Sequence, residues 1–151
     1  MAWVPYLAIM FSMKAILKDN NKYILRFDSG DEVISGIENF AQEQGKKAGF
    51  FKGIGASNKA VLAYYNLDDK KYQDKSINER MEIVSLTGNV ALFENKPIVH
   101  AHGILSDEKY NTIAGHVKKL VVSATCEVFL EALDSEIKRG YDENTGLNLM
   151  K

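Results

Sequence analysis

The only histidines in the 151 residues are His100, His102 and His116, and they fall within seventeen consecutive positions, inside VHAHGILSDEKYNTIAGHV. Side chains alternate between the two faces of an extended segment, so His100 and His102, at i and i+2, project the same way and close enough to share one ion. The fourteen-residue step to His116 passes through a turn-like stretch from Ser106 to Asn111, so a hairpin can return a third imidazole to that face. Three histidines leave a fourth position of a zinc ion open to water or substrate, which distinguishes catalytic zinc sites from closed structural ones. Zinc held this way brings the pKa of bound water to about 7 or polarises a carbonyl. The competing reading is structural: three half-buried rings, each hydrogen-bonded to backbone or to a carboxylate.

Other residues offer less chemistry. Glu127 is the one acid in the apolar run Val121 to Leu130; a carboxylate there can orient a metal-bound histidine or act as a general base, or it can simply face solvent. Gly53-Ile54-Gly55 has only a superficial likeness to a phosphate loop, because a strand rather than a helix follows, and it reads as a tight turn. Tyr64 and Tyr65 alternate in direction, so one ring joins the core. The lysine pairs 46–47, 70–71 and 118–119 read as solvated surface. Cys126 reads as a small buried hydrophobe.

These groups need elements to position them. Tyr23 to Phe27 reads as a strand ahead of a turn at Asp28, Ser29 and Gly30. Ser29 and Glu32 have capping-box spacing, and Val33, Ile34, Ile37, Phe40 and Ala41 form one helical stripe that Gly45 ends. Period-two runs follow at Gly49–Gly55, Ala60–Asn66, Tyr72–Ile77, Met81–Leu86 and Ile98–Leu105, with Asp68-Asp69 as a hairpin turn and Lys96-Pro97 as a break. Ser123 to Leu130 is strand-like, and the EALDSE that begins at Glu131 is helix-friendly.

Composition supports one globular domain. Apolar residues make up 46% and charged residues 26%, which is compatible with a packed core. The 19 basic and 20 acidic residues give a net charge of -1, so no overall positive field draws in a polyanion. The arginines, Arg26, Arg80 and Arg139, lie far apart. A single cysteine with no partner fits a reducing cytoplasm. Residues 1–12 form an apolar leader without a basic flank or a cleavage site and too short to span a bilayer, so no membrane role is expected. Residues 13–139 are read as the domain. Residues 140–151 are read as a polar, poorly ordered C-terminal tail in which Leu147 and Leu149 could dock on a neighbour.

Taken in order, YILRFDSGDEVISGIENFAQEQG, FFKGIGASNKAVLAYYN, MEIVSLTGNVAL, VHAHGILSD, AGHV and ATCEVFL resemble the plants-and-prokaryotes conserved (PPC) domain from about Met13 to Leu133, in its stand-alone prokaryotic form. The resemblance implies an α+β fold, a central and largely antiparallel sheet flanked by helices, assembled as a homotrimer. It also implies zinc on His100, His102 and His116, as in some prokaryotic members. Ala114-Gly115-His116 departs mildly from a frequent Gly-Gly-His and removes no ligand. Plant members carry AT-hooks, and this sequence contains none, so DNA is not an expected partner. Three functions follow as expectations: a trimeric metal-site protein, as a lyase or hydrolase on a small molecule; a DNA-associated or regulatory oligomer; and a trimeric interaction module with structural histidines.

Overall fold

The structure, a computed structural model, describes residues 13–151; the apolar leader lies outside the described residues. The chain runs β1 (Lys14–Asp19), β2 (Lys22–Asp28), α1 (Val33–Glu43), β3 (Ala48–Asn66), β4 (Lys71–Ile77), β5 (Met81–Phe93), β6 (Lys96–Ser106), β7 (Thr112–Ala132), β8 (Arg139–Asp142) and β9 (Leu147–Met150). The first seven strands form one antiparallel sheet in the order β1-β2-β7-β6-β5-β3-β4, and β3 also pairs with β7. That second pairing closes β7, β6, β5 and β3 into a ring, which removes most exposed strand edges.

The expected sheet is present. The flanking helices are not: among the described residues α1 is the only helix, and strand dominates. Of the helix-friendly EALDSE, Glu131 and Ala132 continue β7 and the other four residues are irregular, because Glu131 pairs with Lys22 of β2 on one side and with Phe50 of β3 on the other. Two ladders outweigh local propensity.

The start of α1 also differs from the expected capping box. Glu32, rather than Ser29, is the cap: its carboxylate accepts the backbone N–H groups of Ile34 and Ser35 at the helix start and that of Leu120 on β7. One side chain therefore satisfies orphan helix donors and fixes the helix to the sheet. At the other end Gly45 adopts φ +62°. Its N–H donates to Gln42 and that of Lys46 to Ala41, a Schellman closure. The predicted apolar stripe is buried, with Val33, Ile37 and Ala41 fully enclosed and Phe40 edge-on to Tyr23 at 5.0 Å. Leu25, Phe27, Phe51, Leu86, Leu105, Leu120 and Val128 complete the core.

Two runs expected as separate strands, Gly49–Gly55 and Ala60–Asn66, are one nineteen-residue strand. Gly53-Ile54-Gly55 is not a turn but an irregularity within it, where the register with β5 and then with β7 shifts. A Cβ on Gly55 would collide with the Thr125 carbonyl and Cys126 Cα, so glycine lets β7 cross close over the bend. Asp68-Asp69 does make the β3–β4 turn, with the Asn66 side chain accepting both of their N–H groups. The β5–β6 turn is Glu94-Asn95, both at positive φ, and Lys96-Pro97 already belongs to β6.

The segment expected to be a poorly ordered end forms the β8–β9 hairpin. It is tied to the domain by Tyr65 Oη donating to the Thr145 carbonyl at 2.6 Å and Lys70 Nζ donating to the Glu143 carbonyl, and the chain leading into it by Leu92 N–H donating to the Ile137 carbonyl. No helix among the described residues is long and apolar enough to cross a membrane.

Candidate metal centre

β6 carries His100 and His102 with Ala101 between them. Ala101 is buried at 1% exposure, and the two histidines emerge on the opposite face. This is the alternation the i, i+2 spacing predicts. After the turn, β7 runs back antiparallel, and His116 lies directly across the ladder from His102. A turn built on Asp107, whose carboxylate accepts the N–H groups of Lys109 and Asn111, sets that register. Ring centroids are 5.2 Å apart for His100–His102 and His100–His116, and 5.7 Å for His102–His116. One nitrogen from each ring lies within 4.8 Å of the others.

The donor set fits a metal. Burial, followed by the charges of Arg139 and His102, lowers the pKa of His100; burial, followed by His100 and His102, pushes His116 down to about 4. Both rings are therefore neutral near pH 7, as ligands must be. His116 Nδ1 is buried with no hydrogen-bond partner, and a buried ring nitrogen left unpaired is costly unless something else takes its lone pair or proton.

The surroundings of the triad include residues that the motif reading passed over. Tyr72 of β4 lies against His116 at 5.0 Å, tilted 30°. Lys118, read above as plain surface, pairs with Asp74 at 2.6 Å and sits over the Tyr72 ring at 4.8 Å. Of the tyrosine pair, Tyr64 is 70% exposed, whereas Tyr65 packs edge-on against Tyr72. Glu38 of α1 accepts the Val99 N–H at 2.9 Å, beside His100. Arg139, Asn148 and Leu149 of the C-terminal hairpin form the far wall of a cleft that includes His100 and His116. Only a fold that brings residues some forty positions apart together reveals this wall.

Glu127 does not join the histidines. It is exposed, stands opposite Arg26 on β2 and Ile54 on β3, and borders a different cleft. Cys126 is fully buried, and burial pushes its thiol up to about 12. That suits the packing role read from the sequence.

The geometry defines a class: a closed, largely antiparallel sheet with one helix and a three-histidine cluster on the face of a hairpin. The chain belongs to the family of the Plants and Prokaryotes Conserved (PCC) domain, whose model matches residues 15–134. A provisionally described DNA-binding protein from Bacteroides thetaiotaomicron has a similar crystal structure, with 32% identity, TM-score 0.87, and 94% of this chain and 97% of that chain covered. A metal-containing protein from Archaeoglobus fulgidus is similar at 35% identity and TM-score 0.83, over 91% of this chain and 98% of that one. The bifunctional protein GlmU of Synechococcus sp. (strain JA-3-3Ab) is 30% identical over 127 residues, 82% of this chain; the chain spans about a fifth of that relative's length, 19%.

Proposed function

We propose that residues 13–139 form a zinc-site domain, with His100, His102 and His116 as ligands, that acts as a lyase or hydrolase on a small molecule. The observation that carries this reading is the convergence of three imidazole nitrogens within 4.8 Å. The metal-containing character of the Archaeoglobus relative supports it. When bound, the ion supplies a Lewis acid and a water of lowered pKa. The chain's own residues do the rest. The depressed pKa values keep His100 and His116 unprotonated, Tyr72 holds the plane of His116, and Glu38 fixes the β6 backbone next to His100. Elemental analysis of purified chain, before and after zinc reconstitution, tests the proposal. About one zinc per chain, lost in His102→Ala, upholds it, and a chain that takes up no zinc after reconstitution sinks it.

We also propose a homotrimer. The family resemblance supports it, and so do exposed apolar residues such as Ile54, at 60%, and Val84, at 50%, which border one cleft on the outer face of β3 and β5. Light scattering of the purified chain checks it, and a monomer at micromolar concentration rejects it. A second reading, association with DNA, is favoured by the Bacteroides relative and by a similar structure from Ralstonia eutropha, both provisionally described as DNA-binding proteins. It requires a mobility shift whose affinity falls as salt rises.

A further inference from the structure

Arg139 is half-buried, and no carboxylate among the described residues pairs with it. Its Nη1 donates to the Asn148 carbonyl at 3.0 Å and its Nη2 to Asn89 Oδ1 at 2.6 Å, both neutral acceptors. Its Nε is shut off from solvent and has no hydrogen-bond partner. The strands around it bring little negative charge: β4, β5, β6, β8 and β9 together carry three carboxylates, Asp74, Asp142 and Glu82, the last at the far end of β5 from Asn89. Asp74 is committed to Lys118, and Asp142 to the backbone and hydroxyl of Thr145. A guanidinium cannot shed its proton to escape burial, so the charge persists. It borders a cleft of about 310 Å³ that also includes His100, His116, Tyr72, Asn148 and Leu149. That is the lower end of the volume range for small-molecule sites.

From this juxtaposition we infer that the cleft between the histidines and the β8–β9 hairpin binds a small carboxylate, with Arg139 of the hairpin holding the carboxylate group. The inference rests on reading the histidines as a metal site and adds the class of substrate. A permanent cation beside a divalent ion makes a strongly positive pocket, and an anionic ligand is what such a pocket stabilises. The planar fork of arginine matches the two oxygens of a carboxylate. Tyr72 and Leu149 give the walls an apolar part, which suits a compact organic anion better than a fully hydrated inorganic one. The hairpin is thus a substrate-binding wall rather than a loose end, and the segment least like a motif decides specificity.

Calorimetric titration of the full chain with oxalate tests this, in zinc-loaded and metal-free forms, with inorganic phosphate as the comparison anion. The wild-type chain is expected to bind oxalate, Arg139→Gln at least tenfold more weakly, and zinc affinity to stay within about threefold. Because Arg139→Gln also removes the hairpin's bond to Asn89 and an internal one to Asn148, Asn148→Asp provides the second variant: it keeps the backbone carbonyl and the size while adding a negative charge at the cleft, and it is expected to weaken oxalate at least fivefold. Oxalate binding unchanged in both variants overturns the inference, as does phosphate binding that is tighter than oxalate and indifferent to Arg139. If the wild-type chain takes up no zinc, the metal reading fails by itself. The metal-free titration still decides the anion site, upheld by dependence on Arg139 and overturned by its absence.

Discussion

The Glu38 carboxylate, on the only helix among the described residues, accepts the backbone N–H of Val99 at 2.9 Å, one residue before the first histidine of the cluster. β6 pairs with β7 only over His102–Ser106, so the start of β6 lacks a ladder partner on that side. A helix side chain supplies the missing acceptor. The helix that Glu32 clamps to β7 is thereby also a brace for the strand that presents His100.

Removing that brace has a defined cost. Glu38→Ala leaves the half-buried Val99 N–H without its partner and is expected to destabilise the chain by about 1–2 kcal/mol and to weaken zinc binding. Glu38→Gln keeps an acceptor. Burial also raises the pKa of Glu38, so the neutral amide escapes the desolvation that the carboxylate bears and should match wild type. Urea unfolding of the two variants checks this; equal losses in both would contradict it.

His102 is exposed and lies across the ladder from His116. His102→Ala should abolish stoichiometric zinc while shifting stability by no more than about 0.5 kcal/mol, the range of surface substitutions. Parallel elemental analysis and thermal unfolding of the metal-free variant separate the two effects. A large loss of stability without zinc would favour the structural reading of the cluster.

The metal-free chain should lose stability on acidification. Unfolded His116 takes up a proton near pH 6.5, whereas burial and the neighbouring histidines hold the folded ring down to about 4. Between these values the unfolded state binds more protons, so stability falls as pH drops through that window, and above it the contribution vanishes. Urea unfolding across the window, with His116→Gln for comparison, reads the effect. The variant should show the shallower pH dependence; identical slopes would remove the claim.

Gly55 sits where β7 crosses the bend in β3, with the Thr125 carbonyl where a side chain would go. Backbone cannot swing aside as a flexible side chain does, so Gly55→Ala should cost roughly 1–3 kcal/mol. Chemical denaturation measures it. A neutral result would mean that the crossing is looser than its geometry implies.

The sequence alone determined whatever depends on local periodicity. The i, i+2 histidines had to share a face because strand side chains alternate, and the stripe from Val33 to Ala41 had to be helical because only that period puts it on one side. The turn residues before His116 made a return strand the simplest path. Family membership, too, was legible in the order of short motifs.

Tertiary structure decided everything set by partners distant in the chain. Glu131 became strand because ladders were available on both sides, and Ala132 followed it by pairing with Gly49 of β3. Gly53-Ile54-Gly55 became a bend under a crossing strand rather than a turn. Glu127 went to a different surface from the histidines, while Arg139, from a segment with no motif at all, came to face two of them. No pattern along the chain encodes such meetings, since they depend on which strands pair and where a hairpin is tied down. Those choices are made by long-range hydrogen bonds and packing.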